Sequence, residues 1–390
     1  MRVPEKIQSI SPPPMDLLNA RAERLRREGA HVISLGQGVP GFPMVSGAME
    51  MARQALEEPD THVYSADAGL LPLRQALSAT LAEETGVEVD PETEIIITAG
   101  ANQAFVLALL TLLEPGDKVL LPSPFYFNHE MAVRIVGGVP VEVPLSEETG
   151  FQLRLGDLEP YLEMGPGALV IVSPNNPTGA IYQPEQLRRI GEALASKEVT
   201  IISDETYRHF VYEGAEHFSL ASVPELRSQV ITIGSFSKSF SMTGWRVGYL
   251  VAEPTFIGEA LKVQDSMLVC APVISQKAAL GGLGEPAREI SRRREILDQR
   301  RRFLNQRLTE ILQLTWYPTR GAFYAFVRVE GCTDSATLAR GILESVHVVT
   351  VPGSVFGERG EGYLRLSYGS VDLVDLDDAC DRLTQYFRAV

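Results

Sequence analysis

Lys238 is the residue of this sequence with the clearest potential for covalent chemistry. It follows the apolar run 230–233, which predicts a strand, through the serine-rich segment 235–237. A strand that ends in small hydroxyl residues and then a lysine holds the amine in place and leaves room beside it for a cofactor. A free lysine titrates at about 10.4, so it is a poor nucleophile at neutral pH unless its environment changes. Arg246 follows shortly after it. Because most lysines in serine-rich loops are simply solvated, the prediction depends on the other motifs of the chain.

A second candidate is the segment Gly100-Ala101-Asn102, between a predicted strand at 94–98 and a predicted helix at 103–113. The first amides of a helix have no partner within the helix, and the helix dipole there favours an anion. A phosphate could therefore bind to the N–H groups of Ala101 and Asn102. An ordinary tight turn is the alternative for this segment alone.

Asn176, Asp204 and Tyr207 also lie just after predicted strands. Asn176 stands in the loop 173–179, which two prolines and a glycine stiffen, so it can donate to an oxygen at the carboxyl end of a strand. Asp204 ends the apolar run 199–203, where a carboxylate is at least partly buried and needs a cationic partner. Tyr207 is spaced to bring its hydroxyl to the same pocket. An Asn-Pro turn and a surface helix cap are the alternatives.

Arg365 and Gly38 are candidates for binding a substrate. Arg365 alternates with leucines in the predicted strand 362–368, and an arginine facing a cleft can grip a carboxylate through two hydrogen bonds. A surface cross-strand pair is the alternative. Gly38 belongs to the segment 36–41, which matches the glycine pattern of dinucleotide sites, but the prolines that follow it disfavour the helix such a site needs. We expect a loop in which Gly38 offers its N–H to a ligand.

The order of elements predicts an α/β fold with a mostly parallel central sheet and helices on both faces. Short apolar runs separated by helical segments are typical of strands that are buried on both sides. An arginine-rich helix at 286–312 leads to a smaller α+β unit. We predict a large cofactor-binding domain at 41–285 and a small domain formed by 1–40 and 286–390.

Composition narrows the class of function. The 390 residues carry a net charge of −15, which argues against nucleic acid or an anionic membrane as a partner. The three cysteines are far apart and the six histidines form no ligand pair, so no metal site is expected. The sequence shows neither an apolar signal segment nor an apolar run long enough to cross a membrane. We therefore expect a cytoplasmic protein.

Taken together, these motifs resemble those of the pyridoxal-phosphate-dependent aminotransferases of fold type I, class I/II. The match extends over about residues 33–370, and its most specific parts are Asn-Pro-Thr-Gly at 176–179, Ser-Asp-Glu-Thr-Tyr at 203–207 and Ser-Phe-Ser-Lys at 235–238 followed by Arg246. The resemblance implies pyridoxal 5'-phosphate as the cofactor.

The resemblance also implies a role for each matching residue. Lys238 would hold the cofactor as a Schiff base and later move the α-proton, and Asp204 would pair with the pyridine nitrogen. Asn176 and Tyr207 would bond the phenolic oxygen, and Tyr126 would stack on the ring. The residues expected at the phosphate are Gly100, Ala101, Asn102, Ser235 and Arg246, with Tyr64 reaching it from the other subunit of a homodimer. Gly38, Asn176 and Arg365 would hold the substrate.

The leading hypothesis is an enzyme that moves an amino group between an L-amino acid and a 2-oxo acid. A β-eliminating lyase, such as a cysteine-conjugate C–S lyase, is the alternative because the same residues serve both reactions. A binding or regulatory protein is disfavoured, since such regulators usually carry an added DNA-binding module and this chain has no basic segment for one.

Overall fold

The computed structural model describes residues 2–12, 14–285 and 287–389. Its helices are α1 (Glu5–Gln8), α2 (Pro14–Arg27), α3 (Ser46–Ala55), α4 (Leu71–Thr85), α5 (Ala101–Leu112), α6 (Phe127–Val136), α7 (Leu155–Leu162), α8 (Pro184–Ala195), α9 (Pro254–Met267), α10 (Val273–Leu283), α11 (Ala287–Leu308), α12 (Ser335–Val346) and α13 (Leu373–Ala389). Its strands are β1 (Ile33–Ser34), β2 (Ile95–Thr98), β3 (Lys118–Ser123), β4 (Val139–Pro144), β5 (Ala168–Val172), β6 (Thr200–Asp204), β7 (Val230–Ser235), β8 (Gly248–Val251), β9 (Leu314–Trp316), β10 (Tyr324–Val329), β11 (Val348–Val349), β12 (Val351–Pro352) and β13 (Tyr363–Ser367).

The largest sheet confirms the predicted α/β fold. Its seven strands have the order β2-β8-β7-β6-β5-β3-β4. The pairs among β3 to β7 are parallel, whereas β8 runs antiparallel to both β2 and β7. The sequence did not indicate β8, which is short and begins with a glycine. The strands predicted at 94–98, 199–203 and 230–233 are confirmed as β2, β6 and β7.

The two faces of this sheet belong to two different hydrophobic cores. In β5, Leu169 and Ile171 pack in the core that includes α3, α4, α7, α8 and α10. Ala168, Val170 and Val172 point the other way, into the core that includes α5, α6 and α9. Because side chains alternate across a strand, a run that is apolar at every position has to be covered on both sides.

A smaller antiparallel sheet, in the order β12-β13-β10-β9, forms the second domain together with α11, α12 and α13. Strand β1 pairs in parallel with β11, which joins the N-terminal segment to this domain. The predicted smaller α+β unit is therefore confirmed. The boundaries 1–40, 41–285 and 286–390 remain a prediction, and positions 1, 286 and 390 lie outside the described residues. Within the described ranges, no helix combines the length and apolarity needed to cross a bilayer.

Candidate active site

The carboxyl ends of three parallel strands bring the predicted residues together. In the register of the sheet, Val172 of β5 lies beside Asp204 of β6, which in turn lies beside Ile233 of β7. The loops that follow these strands therefore meet at one edge, where α/β sheets bind their ligands. A cavity of about 180 Å³ opens there, lined by Val39, Ala101, Asn102, Tyr126, Val172, Asn176, Asp204, Thr206, Tyr207, Ser235, Ser237, Lys238, Thr243 and Arg246.

A second cavity adjoins the first. It shares Val39, Tyr126, Asn176, Tyr207 and Lys238 with the first and adds residues from the N-terminal segment, the start of α6 and the small domain. The added residues are Met15, Asn19, Gly36, Gln37, Gly38, Phe127, Tyr324 and Arg365. The site thus lies between the central sheet, the small domain and the segment that carries Gly38.

Lys238 lies in a turn after β7 and points into this site. Its Nζ donates a hydrogen bond to the carbonyl oxygen of Gly38 and lies 5.8 Å from the centre of the Tyr207 ring. Burial lowers the pKa of Lys238 to about 8, and the positive charges of Arg365 and Arg246 act in the same direction. The amine is therefore easier to deprotonate than an ordinary lysine, as an imine-forming group requires.

Asp204 is buried, with 6% of its surface exposed, so the surface alternative for it is wrong. Its Oδ1 accepts a hydrogen bond of 3.0 Å from the N–H of Thr206, and its Oδ2 lies 3.3 Å from Nε2 of His129. Burial by itself would raise the pKa of Asp204, but the hydrogen bond and charge interaction with His129 hold it below its ordinary value. The carboxylate stays ionised and faces the cavity.

His129 is a site residue that the sequence did not reveal. It lies on α6, is 3% exposed, and its ring packs 4.1 Å from that of Phe105. It also lies edge-on to Tyr126, three positions earlier in the chain. This spacing puts the two residues on one side of the start of α6, which is the only signal the sequence offered.

Arg365 binds protein groups from two other parts of the chain. Its Nη1 donates to Oδ1 of Asn176 over 2.8 Å, and its Nη2 donates to the carbonyl oxygen of Gly36 over 2.6 Å. Only 4% of Arg365 is exposed, so the surface alternative is wrong for it as well. Because Oδ1 of Asn176 is held as an acceptor, the NH₂ group of that side chain is the part left to donate into the cavity.

Tyr207 is paired with a second tyrosine. Its hydroxyl lies 2.6 Å from that of Tyr324, and both rings are buried. Burial and the neighbouring Tyr324 raise the pKa of Tyr207 well above its ordinary value, so its hydroxyl remains protonated and can donate. Tyr126 lines the same cavity, and burial raises its pKa too.

The start of α5 forms a basic, amide-rich corner. Gly100 caps the helix with a φ of 86°, and a Cβ at this position would lie 2.9 Å from Cζ of Arg246. Arg246 is fixed by a 2.9 Å bond from Nη1 to the carbonyl oxygen of Thr243. Ser235 accepts a 3.1 Å hydrogen bond from the N–H of Ser237. Helix-start amides beside a guanidinium form a favourable anion site.

Tyr64 is the predicted residue that the chain does not bring to the site. It is 80% exposed and lines neither cavity. Gly38 lines the second cavity, and its carbonyl oxygen accepts a hydrogen bond from Nζ of Lys238. The role expected for its N–H stays a prediction.

Comparison with known proteins identifies the family. Residues 30–383 match the profile of "Aminotransferase class I and II". The chain is 35% identical to aromatic-amino-acid aminotransferase 2 of Thermococcus litoralis over 100% of this chain and 99% of that one. It is 38% identical to an aspartate aminotransferase of Pyrococcus abyssi over 92% of each chain.

A solved structure gives the same result. The crystal structure of an aspartate aminotransferase from Thermotoga maritima superimposes with a TM-score of 0.92 at 31% identity, covering 99% of this chain and 100% of that one. The similarity thus includes the whole fold. We conclude that the chain belongs to the class I and II aminotransferases of fold type I, enzymes that transfer amino groups with pyridoxal 5'-phosphate as their cofactor.

Proposed function

We propose that the cleft at the ends of β5, β6 and β7 holds pyridoxal 5'-phosphate and that Lys238 is its point of attachment. The donor set fits this group: an amine with a lowered pKa, an ionised buried carboxylate and a helix start beside a guanidinium lie in one cleft. When bound, the cofactor supplies a carbonyl for amines and a cationic ring that withdraws electrons from the α-carbon. The observation that carries the proposal is that Lys238 and Asp204 line the same cavity.

Each side chain of the cleft has a distinct task. Asp204, kept ionised by His129, pairs with the ring nitrogen and keeps it protonated. The NH₂ group of Asn176 and the hydroxyl of Tyr207 donate to the ring oxygen. Gly100, Ala101 and Asn102 offer helix-start amides to the phosphate, and this anion-binding group is completed by Ser235 and Arg246.

Lys238 also moves the proton of the reaction. A free amine with a pKa of about 8 can accept a proton from the substrate α-carbon and return it to a neighbouring atom. Its Nζ lies between the cavity that holds the cofactor and the cavity that contains Arg365. Proton transfer therefore takes place at Nζ, between the two binding regions.

The substrates are an L-amino acid and a 2-oxo acid, which share an α-carboxylate. Arg365 would bind that carboxylate, and it lines the second cavity together with Gly38. The side chain of the substrate would point toward Met15, Asn19 and Phe127, which are uncharged. Burying a second carboxylate against neutral walls is costly, so the part of the pocket that this chain supplies favours a neutral side chain. A panel of aromatic, aliphatic and acidic donors tests this preference.

The attachment is tested with Lys238→Ala, with Lys262→Ala as a matched control because that lysine is a surface residue bonded to Glu259. Wild type and the control should show a visible cofactor band, and borohydride should fix the cofactor on a peptide that contains position 238. Lys238→Ala should lose the labelled peptide and the activity. A labelled peptide elsewhere, or a fully active Lys238→Ala protein, refutes the assignment. The β-eliminating lyase has no support from the comparisons.

We also propose a homodimer in which Tyr64 completes the phosphate site of the neighbouring subunit. The support is the 80% exposure of Tyr64 beside Val63, which is 63% exposed. Mixing Lys238→Ala chains with Tyr64→Ala chains tests the idea. A mixed dimer has one site with both residues if Tyr64 acts across the interface, and none if it acts within its own chain. Activity that does not recover on mixing contradicts the proposal.

A cytoplasmic location is proposed on chemical grounds. Cys270, Cys332 and Cys380 are free thiols. Free thiols are typical of reducing compartments. Fractionation of the producing cells, followed by detection of the protein with an antibody, tests this, and recovery outside the cytoplasm contradicts it.

A further inference from the structure

Ser239, the residue that follows Lys238, is held at its hydroxyl and at its backbone carbonyl. Its hydroxyl oxygen lies 2.6 Å from Nδ1 of His209, and its carbonyl oxygen accepts a 3.3 Å hydrogen bond from Nη1 of Arg293. Ser239 is 1% exposed and Arg293 is 3% exposed. His209 follows β6 and Arg293 lies on α11, so two separate elements hold the position next to Lys238.

The hydrogen bonds of His209 define which ring nitrogen carries the proton. Nε2 lies 2.9 Å from Oε2 of Glu84 on α4, and Nη2 of Arg208 donates to the same oxygen over 2.9 Å. Burial alone would raise the pKa of Glu84, but its bonds with His209 and Arg208 lower it to about 2. The carboxylate is therefore ionised and can only accept, so Nε2 of His209 carries a hydrogen.

The other ring nitrogen is then available to Ser239. Burial and the charge of Arg208 lower the pKa of His209, which favours the neutral ring. A neutral ring with its hydrogen on Nε2 has a lone pair on Nδ1, so the Ser239 hydroxyl donates to it. The other groups facing the ring are Phe240, at 6.3 Å between ring centres, and His217, which acts on it through charge.

The backbone hydrogen bonds on either side of Lys238 are long. Lys238 accepts at its carbonyl from the N–H of Ser241 over 3.3 Å, and the N–H of Phe236 bonds to the carbonyl oxygen of Val247 over 3.3 Å. The position of the lysine therefore depends on what holds its neighbours. A misplacement of about 1 Å in a reacting group can cost about 100-fold in rate.

We propose that His209 is a positioning residue for Lys238, acting through its hydrogen bond with Ser239. His209 lines neither cavity, so it does not touch the reacting groups in the described structure. The chain Glu84–His209–Ser239 fixes the side chain next to the lysine, and Arg293 fixes the carbonyl beside it. The inference rests on the proposed function, in which Lys238 carries the cofactor and moves the α-proton.

Two substitutions of His209 separate this role from a purely structural one. An asparagine places its amide near the position of Nδ1 and can still bond to Ser239, whereas a glutamine reaches the position of Nε2 and can still bond to Glu84. We expect His209→Gln to lower kcat about fivefold or more with KM changed less than about twofold, as the loss of one hydrogen bond implies. Ser239→Ala should lower kcat to the same extent. His209→Asn should keep most of the wild-type kcat.

The cofactor spectrum gives a second measurement on the cofactor-loaded enzyme. The midpoint of the pH titration of the visible band should shift by about half a pH unit or more in His209→Gln and in Ser239→Ala, in the same direction. The midpoint of the double variant should shift no further than that of either single variant, because both substitutions remove the same hydrogen bond between His209 and Ser239. His31→Gln is the control, since that side chain is 65% exposed and lies beside Asp378 of α13.

The outcomes are distinct. A wild-type kcat and band midpoint in His209→Gln overturn the proposal, and so does additivity of the two single effects. If His209→Asn loses as much as His209→Gln and its unfolding temperature also falls, His209 is structural and the proposal is again wrong. A wild-type protein that transfers no amino group contradicts the proposed function instead, before any variant is compared.

Discussion

Replacing Lys238 with methionine should change how the stability of the cofactor-free protein depends on pH. The pKa of the amine falls from 10.5 to about 8 on folding, chiefly because of burial. Between these two values the unfolded chain binds a proton that the folded chain does not. The free energy of unfolding of the wild type therefore rises with pH across this window. The contribution of Lys238 to this free energy is least favourable below about pH 8, where both states are protonated.

The size of this effect follows from the two pKa values. From about pH 7 to about pH 9.5, the linkage relation gives a gain of at most about 2 kcal/mol for the wild type. Lys238 is only partly buried, and solvent screening reduces the gain to about 1–2 kcal/mol. Lys238→Met has a side chain of similar length and no charge, so it lacks this gain. At low pH the free energy of unfolding of Lys238→Met should exceed that of the wild type, and this excess should shrink by about 1–2 kcal/mol as the pH rises.

The assay is urea unfolding of both proteins after removal of the cofactor, at several pH values across the window. Lys262→Met controls for general effects of pH, because Lys262 is a surface residue paired with Glu259. The decisive quantity is the difference in free energy of unfolding between Lys238→Met and wild type. A difference that is constant over the range, or that grows in favour of the variant at high pH, would refute the reasoning.

Three further substitutions test the other parts of the site. Asp204→Asn should retain the visible band but lower kcat about 10- to 100-fold, because a charge-assisted bond of about 1.5–3 kcal/mol is lost; unchanged turnover removes Asp204 from its role. Arg365→Lys should raise KM for both the amino acid and the 2-oxo acid about tenfold or more, measured by steady-state kinetics, and an unchanged KM places the carboxylate elsewhere. Gly100→Ala should weaken cofactor binding about tenfold or more in a fluorescence titration, because a φ of 86° strains an alanine and the added methyl group would displace the guanidinium of Arg246. Affinity equal to wild type would show that this contact does not shape the phosphate site.

The central sheet was predictable because its strands are buried on both faces. Runs such as 168–172 and 230–233 are apolar at every position, a pattern that few other short segments produce. The residues at their ends were predictable for the same reason, since parallel strands all finish at one edge. Strand β8 was missed because it begins with a glycine, which weakens a strand pattern.

The contacts between distant parts of the chain were not predictable. His129 meets Asp204, Tyr324 meets Tyr207, and His209 meets Glu84, each across many intervening residues. Local spacing carries no information on which helix covers which strand end. These partners therefore lie in no motif that would have identified them from the sequence. The family resemblance pointed to most of the residues that line the two cavities, whereas the structure was needed to identify the residues behind them.

Arg365 shows why this second set of residues matters for the reaction. A guanidinium has five N–H donors, and two of them are used on Asn176 and Gly36. Those two bonds fix the plane of the group, while its Nε is buried without a partner in the described structure. A substrate carboxylate can therefore bind to the remaining donors without breaking the bonds that orient the side chain. A lysine at this position has three donors on a rotating ammonium and cannot hold two protein acceptors while also presenting a planar, two-point contact to a carboxylate. Arg365 thus links the small sheet to the loop 173–179 and to the N-terminal segment, and its remaining donors face the substrate carboxylate in the proposed complex.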